Sequence, residues 1–197
     1  MFIRITEKVL SNMEKQNMIQ TDQRSVYMYG INQMLNILLN ILTYLVIGLI
    51  FHMTLETIIF TCAYIPLRIY AGGFHAKTPF RCWITSGLML FAVLFFMKYV
   101  SLNAFEYDII AVVCAVIILI LSPVEDKNKP LDDKEKPIYK IRSIIVFSAE
   151  LIIVFLLKLF HNDSIVLCIE MVWITLCTML AAGKFKNYLI IKGEQYK

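Results

Sequence analysis

Residues 31–51 read INQMLNILLNILTYLVIGLIF, a run of 21 positions without one charged side chain. The hydrocarbon core of a bilayer is about 30 Å thick, and an α-helix needs about 20 apolar residues to cross it. Asn and Gln side chains near its start are the main interruptions, so the run reads as a membrane span. Five further runs follow, at 54–70, 83–100, 107–122, 144–160 and 164–182. Most are short for a span, so two of the six are open to being re-entrant or strongly tilted. The whole chain agrees with this reading. It has 197 residues, of which 59% are hydrophobic and 17% charged, and a mean hydropathy of +0.69. A soluble domain is about 45–50% apolar and about 25% charged. Disorder is excluded by this hydrophobicity, and collagen-like or linker architecture by only 7 Gly and 5 Pro. The expected fold is all-α: a polytopic integral membrane protein of about six helices, forming a single membrane domain over 1–197.

The charges test the span count. With the N-terminus inside, 17 of the 19 basic residues fall in inside segments, and only Lys98 and Lys158 lie at outside ends. Lys and Arg concentrate on the cytoplasmic side of membrane proteins, so both termini are expected in the cytoplasm and the chain in the cell membrane. A four-span version with two shallow helices keeps the same loops inside. The same rule accounts for the net charge of +4 without nucleic acid as a partner. Residues 1–30 form an N-terminal segment in which Phe2, Ile5, Val9 and Met13 recur at helical spacing opposite Arg4, Glu7, Lys8, Glu14 and Lys15. That pattern suits an amphipathic helix lying on the membrane interface, or equally one packed on the rest of the protein. Residues 123–143 form the main polar loop, whose EDKNKPLDDKEKP (125–137) reads as a solvated connector. No internal repeat supports an inverted-repeat transporter.

Chemistry gathers in the short basic loop 67–82, between the second and third runs. Residues 68–82 read RIYAGGFHAKTPFRC. Thr78 and Pro79 are a helix-start signal: a hydroxyl N-cap, then a proline where its missing N–H costs nothing. Cys82 then falls in the first turn of a helix, where unpaired N–H groups and the positive dipole end favour a thiolate. Arg81 and Lys77 add positive charge. The other four cysteines, Cys62, Cys114, Cys168 and Cys177, lie inside apolar runs, where Cys behaves as a small hydrophobe. Pro79 argues against one helix joining His75 to Cys82. A folded-back loop, permitted by Gly72 and Gly73, brings the imidazole toward the sulfur. Cys plus His is the minimum set for nucleophilic acyl transfer, and the glycine N–H groups are candidate oxyanion donors. Each piece also has a plain structural reading: an interfacial His, a packing Cys, a Gly–Gly turn.

The string Arg68-x-Tyr70-Ala71-Gly72-Gly73-x-His75-Ala76, with Cys82 seven residues after the histidine, resembles the signature of the accessory gene regulator B (AgrB) family. Those proteins are membrane cysteine endopeptidases of Gram-positive quorum sensing. The likeness extends to chain length, span pattern, polar central loop and basic tail. It implies Cys82 as nucleophile, His75 as its partner, and Arg68 and Gly73 as residues needed for activity; Gly72, Lys77 and Arg81 support them on the reading of the loop itself. It implies no cofactor or metal. The partners it implies are an AgrD-like precursor peptide with an acidic tail, membrane lipid, and a second copy of the chain in a homodimer.

Glu150 and Glu170 lie inside the fifth and sixth runs, where ionisable groups are costly and point to function by default. They orient a cationic segment, pair with Lys or Arg, or hold helices together as neutral acids. The rival they support is a small transporter or peptide-export component. His52, Glu56 and His161 fall at the outer side, away from Cys82. With no HExxH and scattered histidines, a metalloprotease is disfavoured.

Overall fold

A computed structural model describes residues 3–16, 23–74, 76, 78–100, 103–125 and 132–195. Seven helices account for nearly all of them: α1 (Ile3–Lys15), α2 (Arg24–Phe51), α3 (Thr54–Ala71), α4 (Pro79–Tyr99), α5 (Ala104–Leu121), α6 (Glu135–Leu159) and α7 (Asp163–Gln195). Each of the six apolar runs lies on its own helix, α2 to α7, and the architecture is that of an all-α membrane protein. By length and composition alone, three helices among the described residues qualify to cross a membrane, at Arg24–Phe51, Pro79–Tyr99 and Asp163–Leu189. The 18 residues of α3 and of α5 reach about 27 Å each at about 1.5 Å per residue.

The helices outrun the apolar runs at their polar ends. The α2 helix starts at Arg24, inside the expected N-terminal segment, and α6 starts at Glu135, inside the expected polar loop. An apolar run stops where the lipid would stop, whereas the hydrogen-bond ladder continues into polar sequence. Pro137, in the first turn of α6, does not oppose this, because N–H groups there have no helical partner anyway. The irregular part of the basic loop 67–82 shrinks for the same reason. The α3 helix runs to Ala71 and α4 begins at Pro79, leaving only 72–78 between them.

The α7 helix is the axis of the bundle. It touches α3, α4, α5 and α6, and Val172, Leu176 and Leu180 along it are fully buried. A helix apolar on every side belongs inside. Outside this ring, α2 packs on α3 and α4, and α1 packs on α2. Of the two readings of the N-terminal helix, packing on the protein is the one observed. Thr6 and Leu10 are fully buried, the Thr6 hydroxyl donates to Asn32 Oδ1 at 2.9 Å, and Arg24 pairs with Glu14 at 2.6 Å. Ile5 and Val9 nevertheless stay exposed, an apolar edge suited to lipid.

One end of the bundle is closed by capping rather than by loops. His52 (φ 56°) and His161 (φ 54°) end α2 and α6 in left-handed backbone conformation, which explains two of the three histidines without chemistry. Lys98 Nζ donates to the Phe51 carbonyl at 2.7 Å. Nearby, Lys158 bridges Asp108 of α5 and buried Glu170 of α7, the latter at 3.2 Å. The opposite end carries Cys82.

Candidate active site

At the Cys82 end, residues 72–78 connect the last turn of α3 to the first turn of α4. Arg68, in that last turn, donates from Nη1 to the Gly72 carbonyl and from Nη2 to the Phe74 carbonyl. One planar guanidinium thus holds two points of the turn that leads into His75. The turn itself requires glycine. Gly72 and Gly73 have φ +75° and +115°, and a Cβ on Gly72 would lie 2.1 Å from the Val124 carbonyl oxygen. The strand-like stretch is pinned on its far side too. Gly73 N–H donates to Val124 O at 3.0 Å, Val124 N–H to Ala71 O at 2.9 Å, and Phe74 N–H to Met179 O of α7 at 2.9 Å. The α7 helix comes this close because Gly183 has no side chain; a Cβ there would sit 2.7 Å from Phe74 N and from Gly73 C.

This pinning overturns one expectation. The glycine N–H groups are not oxyanion donors, because each is already committed: Gly72 N–H to Arg68 O at 3.1 Å, and Gly73 and Phe74 as above. The glycines are there for backbone shape and close approach.

The α4 helix begins as its sequence indicates. Thr78 is the N-cap, its hydroxyl accepts from Arg81 N–H at 3.3 Å, and Pro79 takes the first helical position. Cys82 N–H donates to Thr78 O at 3.0 Å. Cys82 is a free, half-buried thiol in this first turn, whereas Cys114, Cys168 and Cys177 are buried in the bundle and Cys62 is exposed on α3. Arg81 is exposed to solvent. His75 and Lys77 lie outside the described residues, while Phe74 on one side of the histidine and Thr78 beyond it are both anchored.

Next to Cys82, Trp83 Nε1 donates to Thr43 Oγ1 of α2 at 2.8 Å. That bond sets the register in which α2, with the buried Tyr44 next to Thr43, meets α4. Tyr64 lies one turn before Arg68 on α3. Tyr44 and Tyr64 are each only 7% exposed. Cations bracket the loop as well, Arg142 standing 5.7 Å from the Tyr70 ring and Lys186 5.3 Å from the Phe74 ring.

The family model for accessory gene regulator B matches residues 4–181. The chain belongs to the accessory gene regulator B family. With that membership goes a role in the accessory gene regulator quorum-sensing system. Among AgrB relatives, the accessory gene regulator protein B of Staphylococcus haemolyticus is 32% identical over 142 residues, covering 72% of this chain and 74% of its own. A protein of Clostridium perfringens strain 13 described as AgrB-like is 26% identical over 169 residues, or 81% of this chain and 77% of its own. A second AgrB-like protein, from Clostridium perfringens strain SM101, is 27% identical over 139 residues. There the match spans 67% of this chain and 63% of the relative. No solved structure matches the chain.

Within this AgrB chain the structure ties Arg68 to the Gly72–Phe74 turn at one end of the loop and caps the Thr78–Cys82 helix start at the other, and Glu150 and Glu170 make their contacts elsewhere. Glu150 Oε2 accepts from Trp173 Nε1 at 2.8 Å, joining α6 to α7. Glu170 pairs with Lys158, the second of its three possible roles. Sequence reading missed Val124, Met179 and Gly183. Of these, Gly183 carried the one legible signal, a small residue after Ala181 and Ala182 inside a long helix.

Proposed function

We propose that this AgrB family member is a membrane-embedded cysteine endopeptidase that removes the acidic C-terminal tail of an AgrD-like precursor peptide. The observation that carries the reading is the placement of half-buried Cys82 in the first turn of α4, seven residues after His75, in a segment held by Arg68 at one end and by the Thr78 cap at the other. The helix start favours the thiolate. His75 takes the thiol proton. Sγ adds to the scissile carbonyl carbon, and the carbonyl π pair moves onto oxygen. As that pair returns, the C–N bond breaks and the leaving amine takes the proton from the imidazolium. The tail departs, and the signal segment stays on Cys82 as a thioester.

A Cys or Ser side chain of the same peptide then displaces Cys82, closing a thiolactone or lactone ring and regenerating the thiol. For a cysteine this exchanges one thioester for another and is nearly balanced. The preceding step, amide to thioester, is uphill, and exclusion of water keeps the intermediate from being lost to hydrolysis. A site at the membrane surface supplies that exclusion. The basic residues concentrated in the segments at this end support a site at the cytoplasmic face with both termini inside. The cations around the loop, Arg81, Arg142 and Lys186 among them, suit an acidic tail. Lipid receives the peptide's amphipathic leader, and a homodimer is the working assembly. The export reading draws no support from Glu150 and Glu170, which are taken up by contacts between helices.

A cysteine scan in reconstituted vesicles tests the reading. With the synthetic precursor from the adjacent small reading frame, Cys82→Ala abolishes tail release, and Ala at Cys62, Cys114, Cys168 or Cys177 leaves it largely intact. Tail release by Cys82→Ala at the unsubstituted rate overturns the assignment.

A further inference from the structure

The turn that leads into His75 is paired with a distant stretch of chain, Ser122–Glu125, in a single parallel bridge between Gly72 and Val124. Two hydrogen bonds make it, Gly73 N–H to Val124 O at 3.0 Å and Val124 N–H to Ala71 O at 2.9 Å. The two backbones touch directly, since a Cβ on Gly72 would lie 2.1 Å from Val124 O. Any shift of Val124 is therefore a shift of the turn. A two-bond pairing with no sheet around it does not hold itself in place, because even a complete two-stranded hairpin is marginal alone. What fixes this one lies on two other helices. Lys140 of α6 donates from Nζ to the Ser122 carbonyl at 2.6 Å and also to the Leu119 carbonyl. Ser122 Oγ donates to Ser143 Oγ of the same helix at 2.8 Å, and both serines are buried. On the other flank of Val124, Asn187 of α7 donates from Nδ2 to the Glu125 carbonyl at 2.7 Å. Lys140 also has an ordinary role, as a cation on the orphan carbonyls that end α5. That role stops at Ser122, the C-cap. It does not call for Asn187, which holds a carbonyl three residues farther on, where the chain is no longer helical.

We propose that Lys140 and Asn187 are positioning residues of the cysteine site, which fix the Ser122–Glu125 strap and through it the turn that leads into His75. Arg68 sets the shape of that turn from within, and the strap sets where the turn stands against the bundle. Neither Lys140 nor Asn187 forms or breaks a bond in the reaction; each acts through the main-chain hydrogen bonds of Val124. The assignment rests on the cysteine endopeptidase reading and extends the site to α6 and the far end of α7.

The test uses the full-length protein in vesicles with the synthetic precursor peptide from the adjacent small reading frame. Lys140→Met keeps an unbranched side chain and removes the donor, and Asn187→Leu keeps the size and removes the amide. The single-turnover rate of acyl-enzyme formation at saturating precursor falls about tenfold in Lys140→Met, which loses a charged donor. It falls about fivefold in Asn187→Leu, which loses a neutral one. KM stays as in the unsubstituted protein, because the two residues order the reacting loop and do not hold the peptide. Amide hydrogen exchange, read by mass spectrometry, becomes faster at Gly73 and Val124 in both variants. Lys158→Met breaks the ion pairs that join α6 to α5 and α7 at the opposite end of the bundle; it keeps the unsubstituted rate and the slow exchange at these two amides. Acylation at the unsubstituted rate in either strap variant overturns the proposal. So does a rate loss without faster exchange at Gly73, or an equal loss in Lys158→Met, which would make the effect one of general stability. If Lys140→Met does not fold, Asn187→Leu, which leaves the end of α5 capped, decides by the same criteria. Cys82→Ala runs in parallel: continued tail release there sinks the cysteine reading itself, whereas its inactivity beside unslowed strap variants removes only the strap.

Discussion

Replacing Arg68 by lysine separates charge from geometry at the loop that leads into His75. Arg68 holds the carbonyls of Gly72 and Phe74 with two different nitrogens, a reach that a single ammonium group does not reproduce. Arg68→Lys therefore keeps the positive charge and at most one of the two hydrogen bonds. A hydrogen bond from a charged donor contributes about 1.5–3 kcal/mol. Arg68 is half-buried, so the lower value applies, and a loss of about 1.5 kcal/mol corresponds to about a tenfold fall in the ordered loop. Arg68→Met removes both bonds, about 3 kcal/mol or somewhat over a hundredfold. The assay is the initial rate of precursor tail release in vesicles, with thermal unfolding of the same samples. Graded rates in the order Arg, Lys, Met are expected, with little change in unfolding because the packing of α3 on α7 is untouched. Equal activity of Arg68→Lys and the unsubstituted protein would show that charge alone suffices, and the clamp would be refuted.

Gly183→Ala raises helix propensity by about 1 kcal/mol yet drives a Cβ to 2.7 Å from Phe74 N. Tail release falls by about tenfold or more, on the scale of one displaced loop contact. Gly30→Ala, with nothing within 4 Å, serves as the neutral control in the same assay. Lys158→Met strands Glu170, whose side chain is 4% exposed, although Lys158 itself is 39% exposed. That exposure trims the usual 3–5 kcal/mol for a broken buried pair to about 2 kcal/mol, and Lys158→Met/Glu170→Leu recovers part of it in thermal unfolding. Trp173→Phe takes away the hydrogen bond to Glu150 Oε2 in a carboxylate whose Oε1 already has no partner among the described residues, and costs about 1–3 kcal/mol of stability. Glu150→Leu is then near neutral and still cleaves; a cleavage-dead but folded Glu150→Leu would return that carboxyl to function.

What the sequence disclosed was local in origin. The Thr78–Pro79 start of α4 was legible because a cap and an N1 proline need no tertiary partner, and the six apolar runs were legible because burial in lipid demands unbroken hydrophobicity. The starts of α2 at Arg24 and α6 at Glu135 were not, since polar helical extensions carry no apolar signal. Long-range closure was equally silent. The motif contains Arg68, Gly72 and Gly73, but no propensity in it says that Arg68 grips the carbonyls four and six residues on, and the capture of the Gly73 N–H by Val124 depends on a residue tens of positions away. Tyr44 sits inside a run that reads entirely as lipid-facing span, where one tyrosine among leucines and isoleucines gives no hint of the helix it meets. His52 and His161 illustrate the reverse: residues that attract chemical readings in sequence, placed here as helix terminators.

The central claim is a covalent one, that the precursor passes through a thioester on Cys82. Intact-mass spectrometry of the reconstituted protein mixed with the synthetic precursor from the adjacent small reading frame measures it directly. An adduct equal in mass to the tail-less peptide less one water, lost on treatment with hydroxylamine and missing from Cys82→Ala, is the predicted result. Tail release that proceeds with no adduct at any time point, and at the same rate in Cys82→Ala, would contradict it.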